Sequence, residues 1–157
     1  MPPKKFEEFH RISTTQKKEK SDFISLLKNA PKVFWTIGLV QFFSWAAFMY
    51  MWTYTNGAIA ANVWGVIDTS SAAYQEAGNW VGVVFAIQAI GSVCWAIILP
   101  LFKSRKIAYS LSLALGGIGF ISTYFVHNQY VLFISFLLIG CAWAAMLAFP
   151  FTILTNA

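Results

Sequence analysis

The side chains best suited to chemistry lie in one uncharged stretch of the sequence, from Val33 to Asn56. Within it, amides, a hydroxyl and aromatic rings recur at three- and four-residue steps, so they share one face if the stretch is a helix. The members of this face are Gln41, Ser44, Trp45, Phe48, Trp52 and Asn56. Amides donate and accept hydrogen bonds while indole rings cover apolar surfaces, so the face is suited to binding a ligand. The alternative is helix packing, in which Gln41 and Ser44 bond across a bundle and the tryptophans lie at interfaces.

No pattern typical of catalysis accompanies this face. The sequence shows no motif for a nucleophile–base pair, paired carboxylates, a phosphate-binding loop or a metal-ligand cluster. The two cysteines, Cys94 and Cys141, lie inside apolar runs without metal-ligand spacing, so we expect them to be small core-packing residues. We therefore expect that the protein is not an enzyme and uses no metal or cofactor.

The composition is typical of a membrane protein. Hydrophobic residues make up 58% of the 157 residues and charged residues 11%, whereas a soluble domain carries about 25% charged residues. The net charge of +5 could indicate nucleic-acid binding, but eight of the eleven basic residues precede Val33 and the other three lie between Lys103 and Lys106. Both groups flank hydrophobic stretches, so membrane topology explains the charge and we expect no nucleic-acid partner.

The apolar pattern predicts an all-α membrane protein with four transmembrane helices in contact with the lipid bilayer. The predicted spans are residues 33–56, 78–102, 107–126 and 131–153, which together form a transmembrane segment of residues 33–157. Residues 1–32 are predicted to be a cytoplasmic loop, with a short interfacial helix capped by Ser21 and ending at Ala30.

Charges in the loops predict the orientation of these spans. The N-terminal segment and the Lys103–Lys106 turn are basic, so we expect both on the cytoplasmic side. The connection 57–77 carries Asp68 and Glu76 and no basic residue, which suits the outer side. Four spans then return the C-terminus to the cytoplasm.

Small residues recur at four-residue steps in three of the spans and predict faces for close helix contact. These stripes are Gly78, Gly82 and Ala86 in the second span, Ser112 and Gly116 in the third, and Gly140, Ala144 and Ala148 in the fourth. Gln88 shares a face with Ser92 in the second span and is a further amide that we expect to reach a ligand. The third span carries few large polar groups, so we expect it to be a supporting helix.

Four motifs follow one another in a defined order along the chain. They are QFFSW at 41–45 with WTYT at 52–55, NWVGVVFA at 79–86, LGGIG at 115–119, and GCAWAA at 140–145 followed by Pro150. In order and spacing they resemble helices seven, eight, nine and ten of one branch of the major facilitator superfamily, the glycoside–pentoside–hexuronide and sucrose–proton symporters. The resemblance implies that the four spans are part of the C-terminal half of a twelve-helix fold, with residues 1–32 at the end of the loop between the halves.

The resemblance also implies a function. Such carriers are secondary active transporters, so we expect the chain to be part of a protein that moves a sugar or glycoside across the cell membrane, coupled to a proton or sodium ion. In this superfamily helices seven, eight and ten face the central cavity and helix nine lies outside. The expected substrate-binding residues are Gln41, Ser44, Trp45, Trp52, Asn56 and Gln88. The predicted spans contain no Asp, Glu, Lys or Arg, so a charge that couples a cation must lie outside them.

Two other functions stay open at this point. The chain could be a non-transporting membrane subunit that packs against a partner protein through its small-residue stripes. It could also be a small four-helix exporter that works as an oligomer. Proton-coupled carriers of that size need a carboxylate within the membrane, and the predicted spans contain none.

Overall fold

The computed structural model describes residues 23–155, and every regular element in that range is a helix. The helices are α1 (Phe23–Lys28), α2 (Lys32–Trp64), α3 (Ala72–Ile98), α4 (Arg105–Phe125) and α5 (Leu132–Leu154), with a 3-10 turn at Leu99–Leu101 after α3. Most of the predicted cytoplasmic loop lies outside the described residues, and so does its predicted helix cap, Ser21. The chain divides into two compact units after Trp35.

The first unit contains α1 and the first residues of α2. Helix α1 ends at Lys28, before the predicted end at Ala30. Pro31 has no amide hydrogen and disfavours helical backbone at the residue before it, which accounts for this early end. The longer helix α2 then begins at Lys32.

Four helices are long and apolar enough to cross a membrane: α2, α3 with its 3-10 extension, α4 and α5. The shortest of them, α4, has 21 residues. At roughly 1.5 Å per residue, that length matches the ~30 Å hydrocarbon core of a bilayer. The prediction of an all-α membrane protein with four membrane-crossing helices is therefore confirmed.

Helix α2 is longer than predicted because it does not end at Asn56. It continues through an alanine-containing segment to Trp64, so its 33 residues extend about 50 Å. Gly65 ends the helix in the left-handed region, at a φ of 67°, which glycine adopts without a Cβ clash. The Val66 N–H then donates to the Ala60 carbonyl oxygen at 3.0 Å.

The connection between α2 and α3 is correspondingly shorter than the predicted 57–77. Helix α3 begins at Ala72 because the Ser71 hydroxyl accepts a hydrogen bond from a first-turn backbone N–H at 3.2 Å and caps the helix. In this connection the Asp68 carboxylate accepts from the Ser70 N–H at 3.0 Å and from the Ser70 hydroxyl at 2.8 Å. These bonds favour the charged carboxylate, so they lower the pKa of Asp68 below its ordinary value.

Helix α5 packs closely against both α3 and α4. Glycines allow this approach: a methyl group on Gly140 would collide with the Gln88 carbonyl oxygen of α3. A methyl group on Gly116 of α4 would collide with the Ala142 side chain. Gly140 and Gly116 thus lie in close helix contacts, as their small-residue stripes predict.

The stripe predicted on α3 does not form its contact with α5. Gly82 and Ala86 are exposed, and a methyl group on Gly82 would meet nothing within 4 Å. The buried residues of α3 instead include Ala77, Val84 and Gly91, and a methyl group on Gly91 would lie 2.8 Å from a carbonyl oxygen of α5. Seven residues are nearly two helical turns, so this repeat keeps one face of α3 toward its neighbour. The face of α3 that packs against α5 is therefore not the one that carries this stripe, whose first member, Gly78, lies beside Asn56 of α2.

We predict that Gly140→Ala destabilises the chain, because the new methyl group must displace the backbone at Gln88. Overpacking of a close contact costs about 1–3 kcal/mol. Gly82→Ala is the matched control, since it changes the same residue type in a membrane-crossing helix but meets nothing within 4 Å. The measurement is the free energy of unfolding in detergent micelles titrated with sodium dodecyl sulfate. Equal stabilities of the two variants would contradict the close contact.

Candidate functional site

Three tryptophans meet where α2 faces α5. Trp45 and Trp52 lie two helical turns apart on α2, and Trp143 comes from α5. The ring centroids are 5.8 Å apart for Trp45 and Trp143, 5.5 Å for Trp52 and Trp143, and 6.4 Å for Trp45 and Trp52. Each pair meets edge to face, an arrangement that aromatic rings favour. These three residues form the indole cluster.

The indole cluster rests on Phe48 and is open on its other side. Phe48 is 2% exposed, and its ring centroid lies 4.9 Å from that of Trp143 and 5.7 Å from that of Phe120 on α4. In contrast, Trp45 is 40% exposed and Trp52 is 43% exposed. The cluster therefore combines a tightly packed base with an accessible aromatic surface.

The indole N–H groups of the cluster, like that of Trp64, have no acceptor among the described residues, whereas two other tryptophans are bonded. Trp80 Nε1–H donates to the Gln129 carbonyl oxygen at 3.2 Å, and Trp95 Nε1–H donates to the Ser112 hydroxyl at 2.8 Å. Within residues 23–155, the N–H groups of the three cluster indoles have no hydrogen-bond acceptor. An accessible indole with a free donor offers a ligand both apolar contact and a hydrogen bond.

Gln41 lies one turn before Trp45 and bonds across the bundle. Its Nε2 donates to the Met146 carbonyl oxygen of α5 at 3.3 Å, and its Oε1 accepts from the Tyr109 hydroxyl of α4 at 3.1 Å. Ser44 lies beside the same phenol. These positions fit the packing alternative for Gln41 and Ser44, which link three helices one turn from the indole cluster.

Tyr109 is a residue that sequence reasoning missed. A tyrosine close to a basic turn between two spans is typical of an interfacial anchor, and the sequence otherwise predicts that the third span is a supporting helix. The structure buries Tyr109 to 7% exposure, with its ring centroid 5.9 Å from that of Phe149. The signal that points to it is Pro150, because a proline inside a helix leaves the carbonyl four residues earlier without its usual donor.

Asn56 and Gln88 are placed apart from these contacts. The Asn56 Oδ1 is enclosed and has no hydrogen-bond partner among the described residues, and its amide faces Gly78 of α3. Gln88 is 7% exposed, and in the described part of the chain its side-chain amide makes no hydrogen bond.

The six predicted residues therefore lie in three places. Trp45 and Trp52 belong to the indole cluster, Gln41 and Ser44 to the polar contacts with Tyr109, and Asn56 and Gln88 carry amide groups without partners in residues 23–155.

Two cavities border α2. One, of about 300 Å³, lies between α2, α4 and α5, and none of the six predicted residues lines it. The other, of about 360 Å³, is lined by Ser44 and by Phe48, the base of the indole cluster. Neither cavity is lined by a charged side chain. Within residues 23–155, no three His, Cys, Asp or Glu side chains come close enough to hold a metal ion.

Comparisons of the chain with protein-family models, with curated proteins and with solved structures found no match. The resemblance to the major facilitator superfamily therefore rests on the four motifs alone.

We predict different effects on stability for two part-buried amides of α2. Asn56→Leu should leave the free energy of unfolding unchanged or raise it by about 1 kcal/mol, because it removes an enclosed oxygen without a partner. Gln41→Leu should lower it by about 1–3 kcal/mol, because it leaves the Met146 oxygen without a donor and removes the bond between Gln41 and the Tyr109 hydroxyl. Unfolding in mixed micelles measures both. A loss for Asn56→Leu as large as that for Gln41→Leu would show that the Asn56 oxygen is bonded after all.

Proposed function

We propose that this chain is part of a secondary active transporter that moves a sugar or glycoside across the cell membrane, coupled to a proton or sodium ion. The observation that carries this proposal is the indole cluster, in which two tryptophans of α2 and one of α5 meet with accessible rings. Their N–H donors have no acceptor in residues 23–155. Within hydrocarbon a polar group without a partner is costly, so a wet cavity or a ligand beside α2 accounts for this arrangement.

The chemistry of the cluster fits a carbohydrate. A sugar ring has a face of C–H groups that packs on an indole, and its hydroxyls accept hydrogen bonds from indole N–H groups. Asn56 and Gln88 also carry amide groups without a partner among the described residues, but these amides lie apart from the indole cluster. A neutral ligand is favoured over an ionic one, because the predicted spans that carry the cluster contain no Asp, Glu, Lys or Arg.

The order of the helices supports the same proposal. In the major facilitator fold, α2 to α5 would be helices seven to ten, of which seven, eight and ten face the central cavity. The indole cluster joins α2 to α5, which are helices seven and ten in this interpretation. Helix α4, the ninth, contributes Phe120 and Tyr109 to packing and no member of the cluster.

We propose that both ends of the chain are cytoplasmic. The turn between α3 and α4 carries Lys103, whereas the connection before α3 carries Asp68, and basic loops stay on the cytoplasmic side. The cation is proposed to bind to other helices of the complete transporter. The reason is that the predicted spans of this chain contain no Asp, Glu, Lys or Arg.

We predict that Trp52→Ala in the complete transporter impairs uptake of a radiolabelled disaccharide. Loss of an aromatic contact of about 1–2 kcal/mol corresponds to roughly a five- to thirtyfold loss of affinity. Phe42→Ala is the matched control, because Phe42 is an exposed aromatic residue of α2 outside the candidate face. Uptake that is unchanged by Trp52→Ala, at equal abundance of the carrier in the membrane, would contradict a substrate role for the indole cluster.

We also predict that this chain by itself does not transport. Alternating access requires two halves that rock around a site near the middle of the membrane, and four helices form less than one half of such a carrier. The measurement is disaccharide flux into liposomes that contain the purified chain, with protein-free liposomes as the control. Flux above that control would refute the proposal that the chain is part of a larger carrier and would favour a small exporter.

A second candidate function is that of a non-transporting membrane subunit. The observation that favours it is the exposure of Gly82 and Ala86 on α3, a small-residue stripe that the described helices leave uncovered. Such a stripe permits close approach of another helix. Copurification of the chain with a different protein, lost on Gly82→Leu but kept on Gly117→Leu, would support this function. Gly117 is the control because it is also exposed and has nothing within 4 Å of an added methyl group.

A further inference from the structure

We propose that Gln41 and Tyr109 are positioning residues that form a latch on the α5 carbonyl group left free by Pro150. The closed latch holds Trp143 in the indole cluster. The latch consists of the Gln41 amide, the Tyr109 hydroxyl and the Met146 carbonyl oxygen. A role of the latch in substrate binding rests on the proposed function. The hydrogen bonds of the latch are formed by this chain alone.

Pro150 interrupts the hydrogen bonds of α5. It lies inside the helix, four residues after Met146, and has no N–H to donate to the Met146 carbonyl oxygen. Met146 is 0% exposed, and hydrocarbon offers no water to that oxygen. The sequence of α5 therefore creates a buried acceptor whose donor must come from another helix.

Gln41 supplies this donor from α2. Its Nε2 lies 3.3 Å from the Met146 oxygen, while the Tyr109 hydroxyl donates to the Gln41 Oε1 at 3.1 Å. Because the phenol donates to the oxygen of the amide, it directs the nitrogen toward α5. Tyr109 is held in turn by its ring contact with Phe149, the residue before Pro150. Three helices thus converge on one carbonyl group.

The end of α5 after Pro150 is held by a different contact. Arg105 Nη1, at the start of α4, donates to the Thr152 carbonyl oxygen at 3.4 Å. The part of α5 before the proline is instead bonded to α2 through Met146. Helices usually bend at a proline, so the latch fixes the part of α5 before Pro150 against α2.

The latch and the indole cluster are neighbouring contacts between the same two helices. Trp143 lies about one turn before Met146, and Trp45 lies about one turn after Gln41. Close backbone packing joins α5 to α3 and α4, whereas α2 meets its neighbours chiefly through side chains. Opening the latch therefore frees α2 from α5 at the point where the Trp45 and Trp143 rings meet, 5.8 Å apart.

The test is fluorine NMR of the full chain, labelled with 5-fluorotryptophan and held in lipid nanodiscs without substrate. The chain has seven tryptophans, and single Trp→Phe variants assign their resonances. Gln41→Leu should shift or split the Trp45 and Trp143 resonances by more than their linewidths. The Trp80 resonance is the internal control and should stay in place, because its N–H is bonded to the Gln129 carbonyl oxygen. Unchanged Trp45 and Trp143 resonances would overturn the proposal.

The Pro150→Ala variant distinguishes an effect of the latch on the Trp143 resonance from an effect of ordinary packing. It returns a backbone N–H to the Met146 oxygen, so adding Gln41→Leu to Pro150→Ala should cause no further change in the Trp143 resonance. If Gln41→Leu instead perturbs that resonance equally in both backgrounds, Gln41 acts by packing alone and the latch is refuted. Tyr109→Phe is the second variant should Gln41→Leu fail to fold. It should perturb Trp143 in the natural background and not in the Pro150→Ala background, and any other pattern refutes the latch.

The latch and the proposed function are tested by different experiments. The fluorine spectra need no substrate, so a latch that is confirmed there stands even if Trp52→Ala leaves disaccharide uptake unchanged. Conversely, spectra that refute the latch leave the uptake result for Trp52→Ala intact.

Discussion

A backbone carbonyl group inside hydrocarbon must find its hydrogen-bond donor within the protein, and the described bundle depends on how one such group is satisfied. Pro150 deprives the Met146 oxygen of its helical N–H, and Gln41 reaches that oxygen from 105 residues away in the sequence. Tyr109 bonds to the other end of the same amide. The proline in α5 thus accounts for the part-buried amide of α2 and the buried phenol of α4 that meet at this point.

Two kinds of packing meet around this carbonyl group. Helix α5 approaches α3 and α4 closely because Gly140 and Gly116 bring the backbones together. Helix α2 meets them chiefly through large side chains, which leaves cavities along it and keeps the rings of Trp45 and Trp52 accessible. Rigid backbone packing on one side and adaptable side-chain packing on the other is an arrangement suited to a surface that binds and releases a ligand.

The sequence predicts the four membrane-crossing helices well because length and hydropathy are sufficient for them, but it does not predict where they end or how they are rotated. Helix α2 passes Asn56 because hydropathy measures transfer to lipid, whereas alanines sustain a helix on either side of the interface. Periodicity places Trp45 and Trp52 on one face, but it cannot reveal that Trp143 of α5 completes the cluster, since that depends on tertiary packing. For the same reason the four-residue stripe containing Gly82 does not reveal that Gly91 faces α5.

We propose that the indole cluster faces an aqueous passage through a sugar carrier. A structure of the complete transporter with a bound glycoside tests this most directly. We expect a sugar ring within about 4 Å of the Trp52 and Trp143 rings, at the central opening of the molecule. A structure in which those rings face acyl chains, with the glycoside bound elsewhere, would contradict it.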